Sequence, residues 1–200
     1  MIAIIDYGMG NLGSVQKALT YLGYDSVITD SPAKALSASG LILPGVGAVS
    51  YAMQALRDKG MDRVVFEYVE SGRPFLGICL GMQMLFDSSE EGDGTAKGLG
   101  LLPGRVLRFR PEIGLKIPQI GWNNLTNVSH PALRKDDYVY FVHSYYCAPD
   151  RTEDVAATTT YGIEYASAVA RDNILATQFH PEKSGEVGLA ILNRWARRTR

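Results

Sequence analysis

The chain has 200 residues, of which 46% are hydrophobic and 20% charged, and a formal net charge of -1. This is ordinary globular composition, enough to bury about 70% of the unfolded surface in one domain. So even a charge balance offers no broad attraction to nucleic acid or to an anionic membrane. No apolar run reaches membrane-spanning length, and Ile2 follows the first residue without a basic leader, so the sequence predicts a soluble cytoplasmic protein with no nucleic-acid or membrane partner.

In chain order, the first half alternates short apolar runs with helical patterns. Residues 2–5 read as a strand. Leu12, Val15, Leu19 and Leu22 then share one helical face, Gly23 marks a stop, and residues 26–29 form the next strand. Leu41, Ile42 and Leu43, a helical region over 51–70, an apolar run over 74–78 and a helix over 80–86 follow. This rhythm predicts an α/β fold: a single three-layer domain over residues 1–200, its central, largely parallel or mixed sheet flanked by helices. Beyond Gly98 the β-rich pieces 106–109, 117–122, 138–147, 154–159, 166–170 and 174–179 predict additional antiparallel strands, closed by an amphipathic helix over 186–198. The glycine-rich, acidic stretch 88–100 is the best candidate for a mobile surface loop.

Two cysteines make a poor disulfide framework, which turns the question to which thiol can do chemistry. Cys79 lies in Gly77-Ile78-Cys79-Leu80-Gly81, after an apolar strand and before a helical run. That context is the cysteine form of a strained strand-to-helix turn presenting a nucleophile, with glycines where a Cβ would collide with the turn. The Leu80 N–H then points to where an oxyanion would form. Read alone, the pentapeptide also fits a small buried cysteine. Cys147, in Tyr145-Tyr146-Cys147-Ala148-Pro149, has no such glycines and reads as a strand residue.

His180 ends an apolar strand and precedes Pro181-Glu182. Positions two apart in extended chain project to one side, so Glu182 can accept a hydrogen bond from one ring nitrogen while the other faces a thiol. Spacing alone leaves open whether His180 meets Cys79. His143 reads as structural or pocket-lining and His130 as a loop residue. With no H-x-x-x-H pattern and no paired cysteines, neither a metal nor another cofactor is expected. In Pro44-Gly45-Val46-Gly47-Ala48 the small residues let the backbone approach a substrate, and the N–H of Val46 or Gly47 would complete an oxyanion hole with Leu80; a plain turn fits as well. Gly8-Met9-Gly10-Asn11-Leu12-Gly13, with Asp30 ending the next strand, imitates a dinucleotide-binding fingerprint. Asp6 argues against it, because its carboxylate would repel a pyrophosphate.

GICLGMQ around Cys79, PGVGA around Gly45 and QFHPEKS around His180 together resemble the class I, triad-type glutamine amidotransferases. IDYGMGNL near the N-terminus, IPQIGWN at 117–123 and YFVHSYY at 140–146 are similar to the glutaminase subunits of imidazole glycerol phosphate synthases, though Gln119 stands where a histidine is expected. The resemblance implies a Cys79–His180–Glu182 triad that hydrolyses L-glutamine to glutamate and ammonia through a thioester, with Gly47, Gln83, Ser144 and Tyr145 holding the glutamine. It implies a heterodimer with a (β/α)8-barrel cyclase subunit of histidine biosynthesis that receives the ammonia, with Gly10, Asn11 and Lys183 facing that partner. A glutaminase for another synthase, a γ-glutamyl hydrolase and a catalytically silent binding subunit are the alternatives.

Overall fold

A computed structural model of the chain describes residues 1–92, 96–110 and 115–200. The first strand, β1 (Ile2–Ile5), is buried along its whole length, with Ala3 and Ile5 in one core cluster and Ile2 and Ile4 in another. A strand covered on both faces needs just such an unbroken apolar run. Next come α1 (Leu12–Tyr21), β2 (Ser26–Thr29), the short α2 (Pro32–Ser37) and β3 (Gly40–Gly45). In β3 the alternation repeats: Leu41 and Leu43 face the first cluster, Ile42 the second.

The helical region over 51–70 is two helices, α3 (Val49–Asp58) and α4 (Met61–Glu70), because Gly60 takes φ 65 and turns the chain between them. Both cover the first cluster, with Met53 and Leu56 from α3 and Val65 and Tyr68 from α4. β4 (Phe75–Cys79) leads directly into α5, which is only Leu80–Gln83 rather than the longer helix the sequence predicts. Its continuation, β5 (Phe86–Ser89), is extended because Ser88 and Ser89 pair with β6 (Ala96–Lys97). Part of the expected loop over 88–100 is therefore a hairpin, and residues 93–95 lie outside the described residues.

The second half supplies β7 (Leu102–Arg108), β8 (Gln119–Asn124), β9 (Tyr138–His143), β10 (Tyr145–Pro149), β11 (Val155–Tyr161), β12 (Ile163–Arg171) and β13 (Ile174–Thr177). The single strand expected over 138–147 is broken at Ser144, where β9 pairs with β8 and β10 joins the main sheet. The last helix, α6 (Gly185–Ala196), packs Leu192 and Trp195 with Val15 and Leu19 of α1 on the second face. Among the described residues no helix is long and apolar enough to cross a membrane.

Among the described residues, an eleven-stranded sheet runs β2-β1-β3-β4-β13-β12-β10-β7-β5-β6, with β11 on β12. From β2 to β13 neighbours are parallel, and from β13 to β7 antiparallel. The observed fold is thus α/β, with a mixed central sheet between helical layers and a small antiparallel β8–β9 ribbon over a third core cluster. Its consequence for function lies in one register: β4 and β13 run side by side, with Ile78 opposite Thr177. Residues just past both carboxyl ends, where open α/β sheets gather their ligands, are brought together although they come from opposite halves of the chain.

Candidate active site

Cys79 closes β4 with φ 55 and ψ -110, a left-handed conformation that costs a non-glycine residue about 1–3 kcal/mol. Close packing of β3, β4 and α5 holds it there. A Cβ on Gly81 would sit 1.8 Å from the Leu43 carbonyl oxygen, and one on Gly77 3.0 Å from that of Gly81. A Cβ on Gly45 would come within 2.5 Å of the Tyr7 hydroxyl and 2.9 Å of Leu80 Cβ. The glycines around Cys79 are therefore required by main-chain approach, as the G-x-C-x-G spacing predicts.

His180 follows β13 in extended backbone, and its N–H donates to the Tyr140 carbonyl at 3.0 Å. Ser184 Oγ donates to the His180 carbonyl at 2.7 Å and accepts from the Tyr140 N–H at 2.9 Å, clamping the segment against β9. Nδ1 of His180 lies 2.8 Å from Glu182 Oε1, both side chains almost wholly buried. Burial disfavours the imidazolium, but the Cys79 sulfur and the Glu182 carboxylate outweigh it and lift the His180 pKa to about 10. The sulfur is thus near enough to favour the imidazolium; yet among the described residues Nε2 has no hydrogen-bond partner of ordinary geometry. The pair is close but not aligned as a hydrogen bond.

Cys79 and His180 line a cavity of about 450 Å³, together with Val46, Gly47, Leu80, Gln83, Ser144, Tyr145 and Lys183. A pocket of that size suits a small amino-acid ligand. Gly47 takes φ 88, which few other residues tolerate, and Val46 is 41% exposed. The three residues expected to supply oxyanion N–H groups and the four expected to hold glutamine all border this one space. Of the expected partner-facing residues, Lys183 is exposed on the cavity wall, while Gly10 and Asn11 lie outside its lining, Gly10 packing toward Gly45.

The rest of the N-terminal loop differs from a dinucleotide-binding turn. Asp6 Oδ1 accepts the Gly8 N–H at 2.9 Å, a donor that a phosphate would need, and Gly13 faces open space instead of closing helix on sheet.

Three further residues stand in or beside the cavity, of which the sequence predicts only His143, as structural or pocket-lining. Glu91 lines it and accepts the Val49 N–H at 2.7 Å; burial pushes its carboxyl above the ordinary value, against the pull of that N–H. Its position in an acidic, glycine-rich stretch gave no signal. His143 also lines the cavity; burial drives it down to about 4, opposed by the Tyr145 carbonyl and helped by His180, so the ring is neutral. Gln178 is fully buried with Nε2 3.7 Å from Cys79 Sγ. In the sequence it showed only as an uncharged polar residue within the run 174–179 and as the first residue of QFHPEKS.

A glycine-flanked cysteine turn at the carboxyl end of a central strand in a mixed α/β sheet, faced by a carboxylate-oriented histidine, is the arrangement of a thiol hydrolase or acyltransferase. The chain belongs to the class-I glutamine amidotransferases, whose family profile matches residues 3–197. Among curated proteins it is 50% identical over 201 residues to the imidazole glycerol phosphate synthase subunit HisH of Desulfitobacterium hafniense (strain DSM 10664 / DCB-2), covering 98% of this chain and 94% of that one. It is 49% identical over 203 residues to the same-named subunit of Gloeobacter violaceus, covering 98% and 89%. A solved glutamine amidotransferase shares the fold with a TM-score of 0.77 at 20% identity over 100% of this chain and 99% of that one. The glutaminase domain of Trypanosoma brucei CTPS, solved with bound acivicin, shares it at 0.60 and 17% identity, over 98% and 93%.

Proposed function

We propose that this chain, as one cytoplasmic domain over residues 1–200, is the glutaminase subunit of an imidazole glycerol phosphate synthase. The observation that carries the reading is Cys79, held in a left-handed turn and sharing one cavity with the His180–Glu182 pair. The names of the D. hafniense and G. violaceus relatives supply the choice of synthase.

His180 takes the thiol proton while Glu182 holds its Nδ1–H, and the sulfur attacks the side-chain amide carbon of L-glutamine. The oxygen that becomes negative is met by N–H groups of Leu80 and of Val46 or Gly47, where loss of one donor costs about 2.7–4 kcal/mol. As the carbon–nitrogen bond breaks, the imidazolium returns its proton to the nitrogen and ammonia leaves. His180 then deprotonates a water that attacks the thioester, and glutamate departs with the thiol restored. Glu91, with Gln83 Oε1, suits the substrate's α-ammonium, and the main chain at Gly47, Ser144 and Tyr145 its carboxylate end.

Ammonia released into water would be protonated and lose its nucleophilicity, so the reading includes direct delivery to a (β/α)8-barrel cyclase subunit. Gly10, Asn11 and Lys183 would face that partner. The ribbon adds a surface that suits it: Ile120, Trp122 and Tyr138 are exposed there, the two aromatic rings stacked 6.2 Å apart. Replacing Cys79 by Ala in the complex should abolish glutamine-dependent synthesis and leave synthesis from added ammonium intact. Equal loss of both activities would refute this division of labour.

A further inference from the structure

A line of buried polar side chains reaches the Cys79 sulfur, and its direction is fixed at one end by a main-chain carbonyl. The Tyr145 carbonyl oxygen lies 2.7 Å from His143 Nδ1 and 3.2 Å from Gln83 Nε2. A carbonyl only accepts, so His143 carries its proton on Nδ1 and Gln83 turns its NH2 toward Tyr145. The same NH2 group reaches Gln178 Oε1 at 3.0 Å. Gln178 is thereby obliged to give its oxygen to Gln83 and its nitrogen to the other side, where Nε2 lies 3.7 Å from Cys79 Sγ. Flipping that amide would set two NH2 groups against each other and turn an oxygen on the sulfur. Gln178 has no exposed surface, so solvent offers the flipped form no compensation. The sheet brings the residue there: Thr177 pairs with Ile78, which sets Gln178 level with Cys79, and the Gln178 N–H is tied to the Ser167 carbonyl at 2.9 Å.

We propose that Gln178 is a positioning residue for the nucleophile, its side-chain N–H aimed at the Cys79 sulfur by Gln83 and the Tyr145 carbonyl. It rests on the reading of Cys79 as the glutaminase nucleophile and adds a donor on the core side of the sulfur, apart from the histidine that takes the proton. A donor there favours sulfur in its attacking, anionic form and fixes its place for the approach to the amide carbon. It also leaves Gln83 with only its oxygen to offer a ligand, since the NH2 group is committed within the protein.

The test compares Gln178→Met and Gln178→Glu with the wild-type chain, each in complex with the synthase subunit. Synthesis from added ammonium reports that the complex is folded and assembled. Methionine fills a similar volume without a donor; glutamate keeps the shape and still accepts from Gln83, but presents an oxygen to the sulfur. Glutaminase kcat should fall in the order wild type, Met, Glu, the Met variant losing roughly tenfold for one charge-assisted hydrogen bond, with KM for glutamine within about twofold. A role confined to packing and to the Gln83 bond gives the reverse order, so a Glu variant as active as the Met variant, or a loss carried by KM, overturns the proposal. Cys79→Ala is run alongside: if it keeps glutaminase activity, the reading of Cys79 fails and the proposal with it. An inactive Cys79→Ala beside a fully active Gln178→Met removes Gln178 alone.

Discussion

At the scale of single residues, the His180–Glu182 pair makes a prediction with a definite sign. Folding raises the His180 pKa from 6.5 to about 10, so the folded chain binds that proton more tightly than the unfolded one. The resulting stability is full below pH 6.5 and is lost as pH rises through about 10. Glu182→Gln removes one of the two groups that hold the proton. Its melting temperature should therefore fall furthest below wild type near about pH 6 and converge on it by about pH 10. A deficit that stays constant or widens with pH would take Glu182 away from His180. In the same variant the glutaminase rate should drop, but less than in Cys79→Ala, because orienting a base matters less than supplying the nucleophile. Cys79 and the His180–Glu182 pair were legible in the sequence, since a cysteine between glycines and a histidine two places from a carboxylate are local patterns. Glu91 and Gln178 were not, because their contacts join segments far apart in sequence: Glu91 reaches the Val49 N–H at the start of α3, and Gln178 reaches Gln83 in α5.

At the scale of elements, the glycines divide into those the packing requires and those it does not. Gly81→Ala drives a methyl into the Leu43 carbonyl, where neither strand nor helix has room to retreat, and should cost about 3 kcal/mol in a urea titration along with most glutaminase activity. Gly13→Ala, in an exposed part of α1 with nothing near its Cβ, should instead stabilise the chain by about 0.5–1 kcal/mol. If the two changes had similar effects, the close approach of α5 to β3 would not be what holds the turn. The same contrast explains how far element boundaries could be read ahead. Unbroken apolar runs identified β1 and β3, because both faces of each strand are buried. The single turn of α5 was hidden, because Met84, Leu85 and Phe86 continue a helical-looking apolar run. Its end is set by remote pairings, Leu102 N–H to the Leu85 carbonyl and Leu99 N–H to the Met84 carbonyl. Ser144 likewise splits what looks like one long strand, because β9 and β10 serve different sheets.

At the scale of the molecule, the β8–β9 ribbon carries Trp122 46% and Ile120 58% exposed, while Gln119 of the same strand is buried against Tyr165. Trp122→Ala should leave the melting temperature nearly unchanged, since the ring covers little of the core. It should weaken the complex with the synthase subunit by roughly thirtyfold, the scale of an aromatic anchor at an interface. Titration of one subunit with the other decides it, and an unaltered affinity would place the partner elsewhere. The sheet order carries a further consequence for how the protein is made. β13 is laid down between β4 and β12 only about a hundred residues after β4 has been translated. A nascent chain thus displays Cys79 about a hundred residues before His180 exists. Until that strand slots into the gap, Cys79 stands without the histidine proposed as its base, and the proposed chemistry waits on the pairing of the two halves of the fold.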